Sequence, residues 1–499
     1  MCVTNKQDNK ENSMSRIKLF ALLTTIIFIA SLFAGCGGNS AVKKDDMKEP
    51  VELTYYFLSY GEIKDLPLVE AKINEYLKPK INATIKLMPI ADADYNQKLT
   101  TMASAGEPMD LVFTSFWAYP FIKAVNTGQL LALNELLDLY GPDVKKNEYP
   151  EYWPAVTVNG NIYAVPINGG IAYQQAYTFN KVLVEKYNVD LSAIKTFEDL
   201  YAALVKVKKQ APNLNGLACN SAYAPADEID YVFDRDFPAA VKIDDPTCKV
   251  YNQFNDPRVI QLLKIYHEMY KLGIVPRDKI NSGNVQLFRQ GKTMCEINVF
   301  GPGLDGIMTR TYGFDTISIP ANSRGVKSTF SATGNMLAIS ATSKHPERTM
   351  MFLNLLNSDP YLSNLCAYGI EGIHWKAVGT DRLDFLPQHL NYNISLVGNP
   401  FIGRLTPTDP DNLWDILKKA NAVATKSPIF GFSFNPDPVK NEMSAIQNVK
   451  DEFVPHLFVG EVDVDSTLAK MNEKFTASGL DKVLSEMQRQ IDAWKKTQK

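Results

Sequence analysis

The stretch from Val51 to Thr114 constrains the fold more than any other part of the chain. Val51–Leu58 (VELTYYFL) is β-branched and aromatic and reads as a strand. Residues 65–79 place Leu66, Val69, Ile73 and Leu77 three and four apart, the period of a helix with one buried face. Ala83–Met88 is a second strand. Residues 92–105 are a second helix with Tyr95, Leu99 and Met102 on one face, stopped by Gly106-Glu107-Pro108. Asp110–Thr114 is a third strand. Parallel strands need a crossover of a dozen or more residues between them, and helices of this length supply it. The alternation therefore predicts an α/β protein that begins with a parallel sheet.

Beyond Thr114 the pattern is less regular. Residues 120–137 read as one helix rich in leucine near its end. Asn159-Gly160-Asn161 reads as a hairpin turn leading into a strand at Ile162–Pro166. Helices are expected at 180–187, 197–209, 256–272, 281–290 and 345–357, and strands at Thr293–Phe300 and Gly334–Ile339. From Asp437-Pro438 onward the character changes to three helices. Their apolar stripes run through Met443 and Ile446, then Leu468, Met471 and Phe475, then Leu480, Val483, Met487 and Ile491. Such stripes face a core first and a partner only second.

The N-terminus reads as an address. Residues 19–33 (LFALLTTIIFIASLF) carry no charge and follow Arg16 and Lys18. As a helix the run would span only about 22 Å, short of a bilayer core of about 30 Å, so it reads as a signal peptide covering residues 1–35. Met14 is the more economical start, because residues 1–13 are polar and add nothing to such a peptide. Phe33-Ala34-Gly35-Cys36 resembles a bacterial lipobox, although Phe33 stands where leucine is usual. This marks Cys36 as the lipidation site, with residues 36–49 as lipidated cysteine and flexible tether. Two acyl chains on one cysteine suffice for stable membrane attachment.

Composition narrows the function classes. The 499 residues carry a net charge of −3, which leaves no basic footprint for nucleic acid. Six cysteines are too few for a disulfide scaffold. Cys219 and Cys248 lie in polar stretches and either pair or stay free; Cys295 and Cys366 sit in apolar settings and read as buried thiols. No G-x-S-x-G, HExxH or P-loop is present, and His267, His345, His374, His389 and His456 are far apart. Gly301-Pro302-Gly303-Leu304-Asp305-Gly306 fits G-x-G-x-x-G, but no acid follows near residue 321 and Pro302 removes an N–H from any phosphate cradle. Asp463 and Asp465 resemble a calcium-loop start without its later ligands. No cofactor and no metal is expected.

Aromatic density is the positive signal. Five Trp, 23 Tyr and 25 Phe include several placed outside helical periods, beside Gly, Pro and Asn. Trp117 and Tyr119 follow the third strand, where open α/β sheets bind ligands. Asn168 and Tyr173, Asn335, Glu371 and Trp375, and Phe432 complete the candidate ligand-binding set. Aromatic faces fit the C–H faces of sugar rings while Asn and Glu bond hydroxyls. Each aromatic has packing as its alternative role, and Glu371 is equally a solvated loop carboxylate.

Tyr95–Thr114 (YNQKLTTMASAGEPMDLVFT), Asn161–Pro166 (NIYAVP) and the lipobox resemble the extracellular solute-binding proteins, family 1, of ABC importers. The tail from Ser427 (SPIFGFSFNPDPVKNE) to Lys499 resembles a C-terminal domain of unknown function found in a lipoprotein subgroup of Gram-positive bacteria. The resemblance implies a two-lobed α/β fold of the periplasmic-binding-protein (Venus flytrap) type with a helical C-terminal elaboration. Lobe I would take residues 50–166 plus about 330–390, lobe II 167–329 plus about 391–426, and 427–499 would pack on the lobes. It further implies a monomeric receptor, held to the membrane by lipid, that delivers an oligosaccharide to ABC permease subunits. A peptide or lipopeptide receptor is the alternative, and a lipid-anchored carbohydrate hydrolase a more distant one.

Overall fold

The computed structural model describes residues 45–59, 61–167, 169–218, 227–276, 287–390 and 398–498. The expected signal peptide, Cys36 and most of the segment expected as a tether lie outside these residues, as do Asn168 and Cys219. Just before β1 the chain is pinned: Asn82 Nδ2 donates to the carbonyls of Met47 (2.9 Å) and Lys48 (3.2 Å).

The first lobe grows from the predicted alternation. Strand β1 (Val51–Ser59) pairs in parallel with both β2 (Ala83–Ala91) and β3 (Leu111–Thr114). From Tyr55 to Ser59 every residue of β1 is buried, so both faces of the strand are covered there, and it reads as a nearly continuous apolar run rather than an alternating one. The helix Leu66–Ile81 buries Leu66, Val69, Ile73, Leu77 and Ile81, and the helix Asp92–Ala105 buries Tyr95 and Leu99. Tyr95 then uses its hydroxyl to donate to the carbonyls of Tyr56 and Phe113, tying β1 to β3. Gly106 ends this helix at φ 71°, the left-handed conformation a glycine cap adopts without strain.

The single helix expected over 120–137 is instead two, Phe121–Asn126 and Asn134–Tyr140. Gly128 at φ 69° turns the chain after the first, and Leu130 then bridges to Ser340 as an added sheet contact. The hairpin of β4 (Thr157–Val158) and β5 (Asn161–Ile162) turns on Asn159 and Gly160, both at positive φ as a type I′ turn requires. Strand β6 (Val165–Pro166) forms the edge of the first sheet.

The second lobe contains a four-stranded sheet. It consists of β7 (Gln175–Asn180), β8 (Asn215–Ala218), β11 (Thr293–Val299) and β12 (Thr316–Pro320), in the order β12-β7-β11-β8. A small hairpin, β9 (Ile229–Tyr231) and β10 (Ala240–Lys242), stands beside it. The helix Phe197–Gln210 starts at a full capping box between Thr196 and Asp199, and the helix Pro257–Lys271 is capped by Asp256. The helix expected at 281–290 falls largely outside the described residues.

Among the described residues the chain crosses between the lobes three times. After β6 it runs through 169–174 into β7. It returns through β13 (Val326–Lys327), and β14 (Met336–Ile339) then inserts antiparallel between β3 and β6. A hairpin of β15 (Trp375–Val378) and β16 (Arg382–Phe385) follows the helices Pro346–Ser358 and Pro360–Tyr368. The third crossing is β17 (Thr425–Lys426). Tyr173 pairs with Val326, and β13 pairs with β17, so the crossings lie side by side as a narrow ribbon.

The terminal helices Lys440–Val459, Val464–Ala477 and Leu480–Thr497 share one core with the second lobe. Ile446, Met471, Phe475, Val483 and Ile491 pack with Phe237, Val241, Phe254 and Leu263. Cys248 is buried in this core, and the proposed Cys219–Cys248 pairing falls on Cys219, outside the described residues. Cys295 and Cys366 are buried, and burial pushes the Cys366 thiol up to about 12.

Candidate functional site

Two neighbouring features converge near the crossings. The first is an aromatic seam. Phe330, on the short helix Thr329–Ala332 after β13, stacks on Phe116 at 3.6 Å between centroids, and meets Tyr173 edge-on at 5.9 Å and Tyr231 at 6.4 Å. Phe116 comes from the loop after β3, Tyr173 from the first crossing and Tyr231 from β9. The rings therefore join both lobes through two crossings. The recess among Tyr173, Tyr231, Arg235, Ser328 and Phe330 has a cavity volume of about 20 Å³, room for little more than one water.

The second feature is an open groove with a cavity volume of about 780 Å³. That is within the range of small-molecule sites. Its aromatic lining is Tyr361, Trp375, Phe401 and Trp414, and its polar lining includes Lys72, Asn364, Glu371, Asp381, Arg404 and Asp411. Phe401 and Trp414 meet edge-on at 5.1 Å, so each ring leaves a face free of the other. Phe401 also meets Tyr149 edge-on at 5.7 Å, and Tyr149 packs against a cluster that contains Ala332 of the seam helix.

Arg404 is fixed in this groove. Its guanidinium lies over Trp375 at 5.7 Å and donates to the carbonyl of Arg382 at 3.0 Å. Its N–H donates to Asn364 Oδ1, and its carbonyl accepts from the Tyr368 hydroxyl. Burial pushes the Tyr368 hydroxyl up to about 12, so it remains a donor. Asp411 pairs with Arg382 at 2.5 Å while its side chain stays fully exposed. The carboxylates among the lining residues are all exposed.

The structure divides the sequence-predicted residues among several places. Trp117 is 39% exposed beside the seam, and its Nε1 donates to the Gly334 carbonyl. Asn335 is next to it, its carbonyl accepting from the N–H of Ile167. Tyr173 belongs to the seam itself. Glu371 and Trp375 line the groove, although Trp375 is largely buried and gives Nε1 to the Gly369 carbonyl. Two expectations need correction. Tyr119 sits at φ 45°, turned into the first lobe, with its hydroxyl on Gln129 Oε1 at 3.0 Å and 1% of its surface exposed. Phe432 is held in the C-terminal core against Trp494 at 5.8 Å. Both rings are spent on packing. Asn168 and Cys36 lie outside the described residues.

Sequence reasoning missed Tyr361, Phe401, Arg404 and Trp414. Trp414 and Tyr361 lie in helical first turns, where an aromatic reads as a core position. Tyr361 is exposed and Trp414 half-buried, so each leaves part of its ring uncovered in the groove.

A family model for bacterial extracellular solute-binding proteins matches residues 61–361, and a domain of unknown function, DUF3502, matches 428–496. A carbohydrate ABC transporter substrate-binding protein of Streptococcus pneumoniae serotype 4 is 31% identical over 487 residues, covering 95% of this chain and 98% of the relative. The crystal structure of the N-glycan transport solute binding protein NgtS from Streptococcus pneumoniae superposes with a TM-score of 0.81 at 30% identity, covering 90% of this chain and 100% of that one. The same protein in complex with Man5GlcNAc gives a TM-score of 0.79 at 30% identity, with 90% and 100% covered. With the family model covering more than half of its length and a relative matched nearly end to end, this two-lobed chain belongs to the bacterial extracellular solute-binding proteins.

Proposed function

We propose that this protein captures an oligosaccharide in the groove of Tyr361, Trp375, Phe401 and Trp414 and delivers it to the permease of an ABC importer. The observation that carries this reading is the groove's composition: aromatic faces on its walls and exposed polar groups on its rim. Sugar rings present C–H faces to the first and hydroxyls to the second. Capture requires no nucleophile, only a difference in affinity between open and closed arrangements of the lobes. The exposed carboxylates support a binding role over hydrolysis, which needs a facing acid pair with one member's affinity for protons raised. The relatives' carbohydrate and N-glycan ligands support the same substrate class.

Trp117, Tyr173 and Asn335 belong in this reading to the junction that shuts behind the ligand. Cys36 serves as the lipid anchor, residues 37–49 as the tether, and the receptor works as a monomer on the outer face of the membrane. Lobe I is the body built on β1–β3, β6 and β14, and lobe II the body on β7, β8, β11 and β12 with the C-terminal helices.

Calorimetric titration of the mature protein with Man5GlcNAc and other oligosaccharides tests the proposal. Binding is expected, and Trp414→Ala is expected to weaken it at least about tenfold by removing a stacking face. An unchanged affinity in a folded Trp414→Ala variant, or no heat with any sugar, would sink it.

A further inference from the structure

The helix Leu413–Val423 has one end in the groove and the other on the first crossing. Trp414, in its first turn, lines the groove. Asn421 lies seven residues further, two turns along the same face. It is 6% exposed, and both its amide oxygen and its amide nitrogen bond the crossing. Asn421 Oδ1 accepts from the N–H groups of Ile171 at 3.0 Å and Ala172 at 3.2 Å. Its Nδ2 donates to the Gly169 carbonyl at 2.9 Å. Between them on the same face, Leu417 packs over Gly170, 3.5 Å from where a Cβ would lie.

Buried main-chain N–H and C=O groups need partners. Over most of the crossing ribbon a neighbouring strand supplies them, as Val326 does for Tyr173. At 169–172 side chains take that place: Asn421 serves Gly169, Ile171 and Ala172, and Tyr152 adds a hydrogen bond to the backbone of Gly169. A ladder bond would hold the crossing to another crossing, whereas Asn421 holds it to the element that carries a groove ring.

The geometry points to Asn421 as the positioning residue that couples occupancy of the groove to closure of the lobes. The inference rests on the groove being the ligand site. A ligand stacked on Trp414 fixes the helix, the helix fixes Asn421, and Asn421 fixes the backbone of 169–172 about which the lobes turn. Coupling of this kind acts on the lifetime of the closed complex, so it changes dissociation more than association.

The test uses the mature protein with Man5GlcNAc as probe and three readouts: dissociation rate by stopped-flow tryptophan fluorescence, radius of gyration by small-angle scattering, and amide hydrogen exchange. In the wild type, saturating probe is expected to contract the molecule and to slow exchange at the amides of Ile171 and Ala172. Asn421→Ala is expected to associate at the wild-type rate, dissociate about tenfold faster and contract less at saturation. Asn421→Asp keeps both acceptor bonds and loses only the donor to Gly169, so it is expected to fall between the two. Wild-type dissociation and full contraction in Asn421→Ala would overturn the coupling. Should that variant not fold, the exchange experiment on the wild type decides, and amides at 171 and 172 that ignore the probe overturn the coupling too. Trp414→Ala separates the two claims. Unchanged affinity in it overturns the groove reading and the coupling with it. Weakened binding there beside a wild-type-like Asn421→Ala overturns the coupling alone.

Discussion

Asp230 shows how a single side chain sets a condition on the whole. It lies in β9 with 4% of its surface exposed, accepts from the Ser427 hydroxyl at 2.5 Å and takes the N–H of Tyr231 at 2.8 Å. Ser427 follows β17, so this contact fastens the second lobe to the third crossing. Burial pushes the carboxyl up to about 6, against an ordinary value near 4. The folded state therefore binds this proton more tightly than the unfolded chain does. The stability gained is fully present below about pH 4 and is lost as pH rises through about 6. The group alone is expected to lower stability by about 2–3 kcal/mol between pH 4 and pH 7. Asp230→Asn is expected to flatten that part of the profile in urea melts across this range; parallel profiles for the two proteins would refute the assignment. Arg348 is the opposite case, a charge made tolerable by its surroundings. It is 2% exposed, and its guanidinium donates to the carbonyls of Ile81 and Asn82, at the negative end of the helix Leu66–Ile81. Neither residue is marked in the sequence, because what makes each unusual is a partner some 200 residues or more away.

At the scale of elements, legibility followed periodicity. The helices at 66–81, 92–105, 197–210 and 257–271 carry apolar residues at helical spacing and clear end signals, so both their existence and their faces were readable. The stretch 120–137 was not, since its leucines mimic one helix while Gly128 breaks the chain. The groove was only half legible. Glu371 and Trp375 stand beside glycines and attract notice; Trp414 and Phe401 line the groove only through the packing of segments distant in sequence. Close approach between elements is equally hidden. Gly460 ends the helix Lys440–Val459 at φ 79°, and a Cβ there would lie 2.2 Å from the carbonyl oxygen of Tyr266 in the helix Pro257–Lys271. His267 Nδ1 bonds the Gly460 carbonyl at 2.9 Å in the same contact. Gly460→Ala is expected to destabilise the protein by at least about 2 kcal/mol, from the left-handed conformation and a backbone clash together. Chemical denaturation measures this, and a change below about 0.5 kcal/mol would show that the helices simply slide apart.

The whole molecule is stitched from distant segments. The first sheet takes β1–β3 from the start of the fold and β14 from far downstream, and the core around Phe237 and Phe254 takes Met471 and Ile491 from the last helices. The family resemblance made the two lobes readable in advance. It did not show that the C-terminal helices complete the second lobe's core and so cannot be an appendage. Removing them strips the covering from Ile229–Leu263. A chain ending at Lys426 is therefore expected to be cut rapidly by protease within 229–263 while β1–β3 stay protected; a resistant second half would show an independent lobe. The same stitching has a bearing on the order of events in the cell. A ribosome delivers β1 early and Ile491 late, and contacts so far apart along the chain form slowly. Through most of its synthesis this polypeptide can close neither lobe. It becomes a receptor only once the last of its helices has been made.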